Sequence, residues 1–200
     1  MKKITCLFVG IVFLCLGLIS GCGNSEPKLA HPDISFNFSL RDLQDTSIAT
    51  ARRYHCMVRI NEEATTVQIE DIARYVTQEI KADRDFQALT IWFVDHISFY
   101  NSGDEATLGT VTYAPGGEVR NAPNVRLGDY GEFEFDFNIW HMDWSIRPTD
   151  DELGIFALFY NSGGDEGMKK VLMERHDITQ EEFDDIVQRG YEWYGQRFRR

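Results

Sequence analysis

Five groups of residues in this chain have side chains suited to chemistry. Cys56 follows His55, a thiol beside an imidazole, the raw material of a nucleophile and its base. Asp95 and His96 repeat the adjacency with a carboxylate. His141 and Asp143 stand two apart, so on a continuing strand they share one side and could ligate Zn²⁺ or act as an oriented base. Glu132, Glu134 and Asp136 alternate with aromatics and would line one strand face about 7 Å apart, an array that attracts a cation or a basic partner. Trp92, Trp140, Trp144 and Trp193 offer rings for glycan stacking, with Trp140 and Trp144 flanking His141.

Most of these fail on geometry. Adjacent residues of a strand point to opposite faces, so neither His55–Cys56 nor Asp95–His96 can act as a pair. Cys56 shares its face with Tyr54, Val58 and Ile60, which predicts a buried, inert thiol. His141 and Asp143 lack a third ligand or a nucleophile, and no HExxH, GxSxG, SxxK or paired CxxC occurs. Trp92 and Trp193 fall in a central strand and a helix, where core packing is the ordinary role. A flat strand aims its carboxylates apart, so Glu132, Glu134 and Asp136 suit a basic protein or peptide better than Ca²⁺. Neither a catalytic set nor a metal site is expected, and no cofactor is called for.

The elements that must position these residues follow from periodicity. Phe36, Phe38 and Leu40 alternate as a short strand, and 41–50 carry no pattern. Arg52 to Ile60 alternates with period two, a half-buried strand. Thr65–Gln68 reads as a capping box before an amphipathic helix over 66–83, with Ile69, Ile72, Ala73, Val76 and Ile80 on its apolar face. Ala88 to Tyr100 is apolar on both faces, as in the middle of a sheet. Thr107–Ala114 and Glu132–Ile139 are further strands, with a loop over 116–131 between them.

At Pro148 the period changes. Thr149–Glu152 and Thr179–Glu182 are two more capping boxes. They open a helix running to Phe159 and a last helix with Phe183, Ile186, Val187, Tyr191, Tyr194 and Phe198 on one stripe. A short helix over 165–175 lies between. The fold class predicted is α+β: a mainly antiparallel sheet with one crossover helix, then a small C-terminal helical cluster. The divisions are 1–21, 22–35, 36–147 and 148–200. The phrase Phe-Tyr-Asn-Ser-Gly at 99–103 and 159–163 is a coincidence of turn chemistry.

The chain begins with Lys2 and Lys3, an apolar run from Ile4 to Ile19, then Ser20, Gly21 and Cys22, the pattern of a secretory signal. Ile19-Ser20-Gly21-Cys22 resembles the lipobox of bacterial lipoproteins. The resemblance implies cleavage between Gly21 and Cys22, and a thioether-linked diacylglycerol with a further fatty acyl chain such as palmitate on Cys22. It also implies a membrane-held envelope protein. Gly23, where aspartate would signal inner-membrane retention, points to the outer membrane in a Gram-negative host. In other hosts the place is the outer face of the cytoplasmic membrane. Residues 23–35 read as a flexible tether.

Cys6 and Cys15 would leave with the signal and Cys22 would carry lipid, so Cys56 has no disulfide partner. Removal of Lys2 and Lys3 leaves 18 basic against 32 acidic residues, a balance that repels nucleic acid and anionic lipid headgroups. Residues 52–117 also resemble an uncharacterised domain of small bacterial lipoproteins and phage-linked proteins. The likeness lies in Arg59-Ile60, Phe86-x-Ala88-Leu89-x-Ile91-x-Phe93, Leu108-Gly109 and Tyr113-Ala114-Pro115-x-Gly117. It implies an α+β scaffold and assigns no activity.

The expected role is a non-enzymatic envelope lipoprotein that binds or shields another protein. Two alternatives stand beside it: a metal-dependent hydrolase using His141 and Asp143, and a glycan-binding module using Trp140 and Trp144.

Overall fold

Three threonines set the helical frame. Thr65, Thr149 and Thr179 each accept from the backbone N–H three residues on, and Gln68, Glu152 and Glu182 reach back to the threonine N–H, completing three capping boxes. Each box satisfies amides that the first helical turn would otherwise leave open. The computed structural model describes residues 38–60, 62–96 and 106–198, apart from the side chains at 41, 42 and 198. The expected signal, Cys22, the tether, Phe36, and the first Phe-Tyr-Asn-Ser-Gly with its turn at 101–104 lie outside the described residues.

The elements run β1 (Phe38–Asp45), β2 (Arg53–Ile60), α1 (Thr66–Asp83), β3 (Ala88–Val94), β4 (Gly109–Pro115), β5 (Phe133–Ile139), α2 (Asp150–Asn161), α3 (Glu166–His176) and α4 (Gln180–Gly195). The five strands stand in sequence order in one sheet. Three neighbouring pairs are antiparallel, and β2–β3 is parallel, joined by α1 as the crossover. The protein is thus α+β with a mainly antiparallel sheet and a C-terminal helical cluster.

Register explains which side chains α1 covers. Pairing sets Tyr54 with Leu89, Cys56 with Ile91 and Val58 with Phe93, and continues through Val111 to Phe137. These residues share one sheet face, and α1 meets that core with Ile69, Ile72, Ala73, Val76 and Ile80, all buried. Each such isoleucine or valine contributes about 1.5–3 kcal/mol by leaving water. The same core contains Leu153, Phe156, Phe183, Ile186 and Trp193, so the C-terminal helices complete it.

The opposite face is mostly polar, with Thr90, Thr110 and Thr112 half-buried on β3 and β4. At one end a 3₁₀ turn, Val119–Asn124, covers a small alanine cluster of Ala51, Ala88, Ala114 and Ala122. Met57, on this polar face, is nevertheless buried.

Several boundaries differ from expectation. β1 runs on through 41–45 by way of a register shift between Arg41 and Gln44, and such irregular pairing leaves no period-two signal. β3 stops at Val94, well before Tyr100. The loop at 116–131 contains the 3₁₀ turn. Tyr191, expected on the buried stripe of α4, is 51% exposed, while Trp193 fills the core. α4 closes at Gly195, so Phe198 lies past its end.

Candidate functional site

β3 ends at Val94, and the next residue turns inward. Asp95 is fully buried and surrounded by donors. The Thr107 hydroxyl donates to Oδ1 at 2.6 Å and the Tyr194 hydroxyl to the same oxygen at 3.0 Å. Trp193 Nε1 donates to Oδ2 at 2.8 Å, and Arg147 Nε lies 3.5 Å from Oδ2. Thr107 Oγ1 itself accepts from the Asp95 N–H, which leaves its hydrogen for the carboxylate. Three hydrogen-bond donors, a guanidinium at ion-pair distance and no competing acceptor suit a carboxylate, which only accepts. Burial beside that charge holds the Tyr194 phenol well above its ordinary pKa, so it remains a donor.

A second layer of charge surrounds this carboxylate. Arg147 also donates to the Asp95 carbonyl at 3.1 Å and to Asp150 at 2.7 Å. Arg59, from the end of β2, donates to the other oxygen of Asp150 at 2.7 Å. Burial alone would raise the Asp150 pKa, but these contacts together hold it below its ordinary value. His96 is buried beside them, and burial lowers its pKa. The cluster sits where the parallel strands β2 and β3 end, the position at which parallel sheets commonly place their sites. Here each described guanidinium is matched by a carboxylate, so the arrangement fastens the helices to the sheet.

Asp95 and His96 were expected as opposed neighbours on a strand. The strand has already ended, and Asp95 is aimed inward by Thr107. His55 and Cys56 do lie on opposite faces: Cys56 is fully buried and its thiol is pushed up to about 12, while His55 packs edge-on against Trp92 at 4.4 Å. Burial lowers the His55 pKa as well.

His141 and Asp143 are not on a continuing strand, because β5 closes at Ile139. Asp143 instead caps a 3₁₀ turn, Trp144–Ile146, accepting from the Ser145 hydroxyl at 2.6 Å and its N–H at 3.0 Å. Those bonds, both to Oδ1, lower the Asp143 pKa. Among the described residues no three His, Cys, Asp or Glu side chains gather as a metal site.

Trp144 is half-buried, donates from Nε1 to the Ala64 carbonyl at 3.0 Å and meets Trp193 edge-on at 5.3 Å. Trp140 is half-buried against the core, and its backbone N–H bonds Leu108. The two indoles therefore serve packing more than they form an open stacking platform.

Glu132, Glu134 and Asp136 are exposed, as their alternation predicts, with Asn138 extending the row. Glu134, Asp136 and Asn138 line the polar face of β5, an edge strand, and Glu132, expected at the strand's start, lies in the turn before it. Phe133, Phe135, Phe137 and Ile139 lie half-buried on its other face. There Phe135 lies 4.5 Å from Tyr113, and the Arg74 guanidinium sits 4.9 Å above Phe137.

No family model matches this chain, and no curated protein and no solved structure is significantly similar to it. Two features thus stand out on their own chemistry: an internal carboxylate cluster with every charge matched, and an exposed acidic strand at the sheet's edge. Among the described residues no helix is long and apolar enough to cross a membrane.

Proposed function

We propose that this protein is a lipid-anchored envelope lipoprotein whose α+β domain binds a basic protein partner, with no catalytic step of its own. The observation that carries the reading is the edge strand β5, which presents Glu134 and Asp136 to solvent in a row continued by exposed Glu132 in the turn before it. A row of unmatched carboxylates attracts a positively charged partner and speeds its encounter. The Asp95 cluster is spent internally on Arg147, Trp193 and Tyr194, so it supports the domain without offering a free reactive group. Lipid on Cys22 would hold the domain at the membrane through the 22–35 tether, on the periplasmic side of the outer membrane in a Gram-negative host. Two or three acyl chains make such anchoring effectively permanent.

The test is a crosslinking pull-down from the native envelope. The chain carrying Glu132→Gln, Glu134→Gln and Asp136→Asn is compared with the unaltered chain, and Cys22→Ser serves as the mislocalised control. Recovery of the partner should fall severalfold with the neutralised strand. Equal recovery would remove β5 as the interface. The metal-hydrolase and glycan alternatives draw less support, since Ser145 takes up Asp143 Oδ1 and Ala64 takes up Trp144 Nε1.

A further inference from the structure

The register of β4 and β5 fixes which backbone groups of β5 point away from the sheet. Gly116 N–H bonds the Glu132 carbonyl and Trp140 N–H bonds the Leu108 carbonyl. These two bonds bracket the antiparallel pairing, in which Ala114 opposes Glu134, Thr112 opposes Asp136 and Thr110 opposes Asn138. In such a ladder bonded pairs alternate with unbonded ones, so the even-numbered residues of β5 bond β4. The peptide groups of Phe135 and Phe137 therefore point outward. Among the described residues no backbone bond outside the sheet reaches either of them.

The two edges of the sheet differ. β1 is interrupted by its register shift between Arg41 and Gln44, which blunts an edge. β5 pairs with β4 without a break from Phe133 to Ile139. Beside its outward peptide groups lie two unlike surfaces: half-buried Phe135 and Phe137 on one face, exposed Glu134 and Asp136 on the other.

We propose that the outer edge of β5 receives an extended protein segment of alternating basic and apolar residues, which adds a sixth, antiparallel strand by hydrogen-bonding Phe135 and Phe137. The proposal rests on the reading of β5 as the acidic binding face and specifies how the partner is held. Main-chain bonds supply the docking, and the side chains supply the choice of partner. Apolar residues opposite Phe135 and Phe137 lie against the phenyl rings, and the basic residues between and beside them meet Asp136 and Glu134. A second copy of this chain is a poor occupant. Antiparallel pairing centred on Phe135 sets Glu134 of each copy opposite Asp136 of the other, and like charges opposed across strands are destabilising. The same carboxylates thus disfavour self-pairing in that register and select a basic strand.

The test uses the full chain in detergent and fluorescent peptides alternating lysine and valine, read by anisotropy. Two N-methylated isomers carry the decision. Methyl groups on the valine amides block the bonds to Phe135 and Phe137, whereas methyl groups on the lysine amides point away from the edge. The valine-methylated peptide should bind about tenfold more weakly or worse, and the lysine-methylated one close to the parent. Glu134→Gln with Asp136→Asn should weaken the parent peptide severalfold and flatten its salt dependence. Equal binding of the two isomers would overturn strand addition while leaving the acidic face as a charge-only interface. A threonine–valine peptide that binds as tightly as the lysine–valine one would overturn the charge selection. No binding of the parent peptide would also overturn the strand proposal, and the envelope pull-down would then decide separately whether β5 faces a partner.

Discussion

The two ends of the sheet's chemistry treat carboxylates in opposite ways. Asp95, past the end of the central strand, is sealed from water and held by a threonine, a tryptophan, a tyrosine and an arginine. Glu134 and Asp136, on the edge strand, are exposed, and none of the described hydrogen bonds engages their side chains. A buried charge must be matched on every side or the fold loses more than it gains, so such a site is committed to structure. An exposed row carries no such obligation and remains open to a partner. The difference separates what holds this molecule together from what it can offer to another.

The largest test of that division is Asp95→Ala. It removes the buried carboxylate beside Arg147 and strips the partner from Trp193, Tyr194 and Thr107. The loss should be about 3–5 kcal/mol, measured by urea or thermal unfolding. A loss below 1 kcal/mol would mean that the cluster is not the fastening inferred here. Gly190→Ala probes the packing behind it. A Cβ at Gly190 would lie 2.3 Å from Phe156 Cγ, where α4 crosses α2. Alanine ordinarily favours a helix, but here it should destabilise by about 1–3 kcal/mol.

A smaller effect is expected from Glu152, which receives the Arg189 guanidinium at 2.9 Å and the Thr149 N–H at 2.8 Å. The Arg189 contact first, with help from Thr149, lowers its pKa from 4.5 to about 2. The folded state therefore holds the ionised form more strongly than the unfolded chain does. That stability is fully present above pH 4.5 and is lost as the pH falls towards 2. Glu152→Gln should cost about 1 kcal/mol at neutral pH and flatten this acid limb in pH-dependent unfolding. The smallest change belongs to the exposed row. Glu134→Gln with Asp136→Asn should alter stability by no more than about 0.5 kcal/mol while weakening partner capture. A large stability change would place these carboxylates in the fold's own framework and erase the contrast.

Much of the architecture was legible because it rests on local rules. The capping threonines mark three helix starts, and the period-two runs around Cys56 and Phe135 mark strands whose buried faces are the expected ones. The crossover helix fell between the two strands that pair in parallel. The Asp95 cluster was not legible. Its members come from positions 59, 95, 107, 147, 150, 193 and 194, and sequence distance hides such a meeting. The apolar run continues in sequence to Tyr100, a pattern that places Asp95 on a strand whose backbone ends at Val94. His141 and Asp143 looked paired for the same reason, since their spacing has meaning only on a strand that in fact stops at Ile139. The acidic row needed only alternation to be seen, but its place at the edge depended on the strand order.

The bond between Trp193 and Asp95 spans 98 positions of chain, and the one from Tyr194 spans 99. A polypeptide emerging from its N-terminus has the whole sheet in hand long before these two donors arrive. Until then the central strand ends in a carboxylate with too few partners, and closing the core over it is unfavourable. A product truncated before α4 should remain open to proteases, whereas one that includes α4 seals its core. The buried aspartate thus makes closure of the core wait on the arrival of α4.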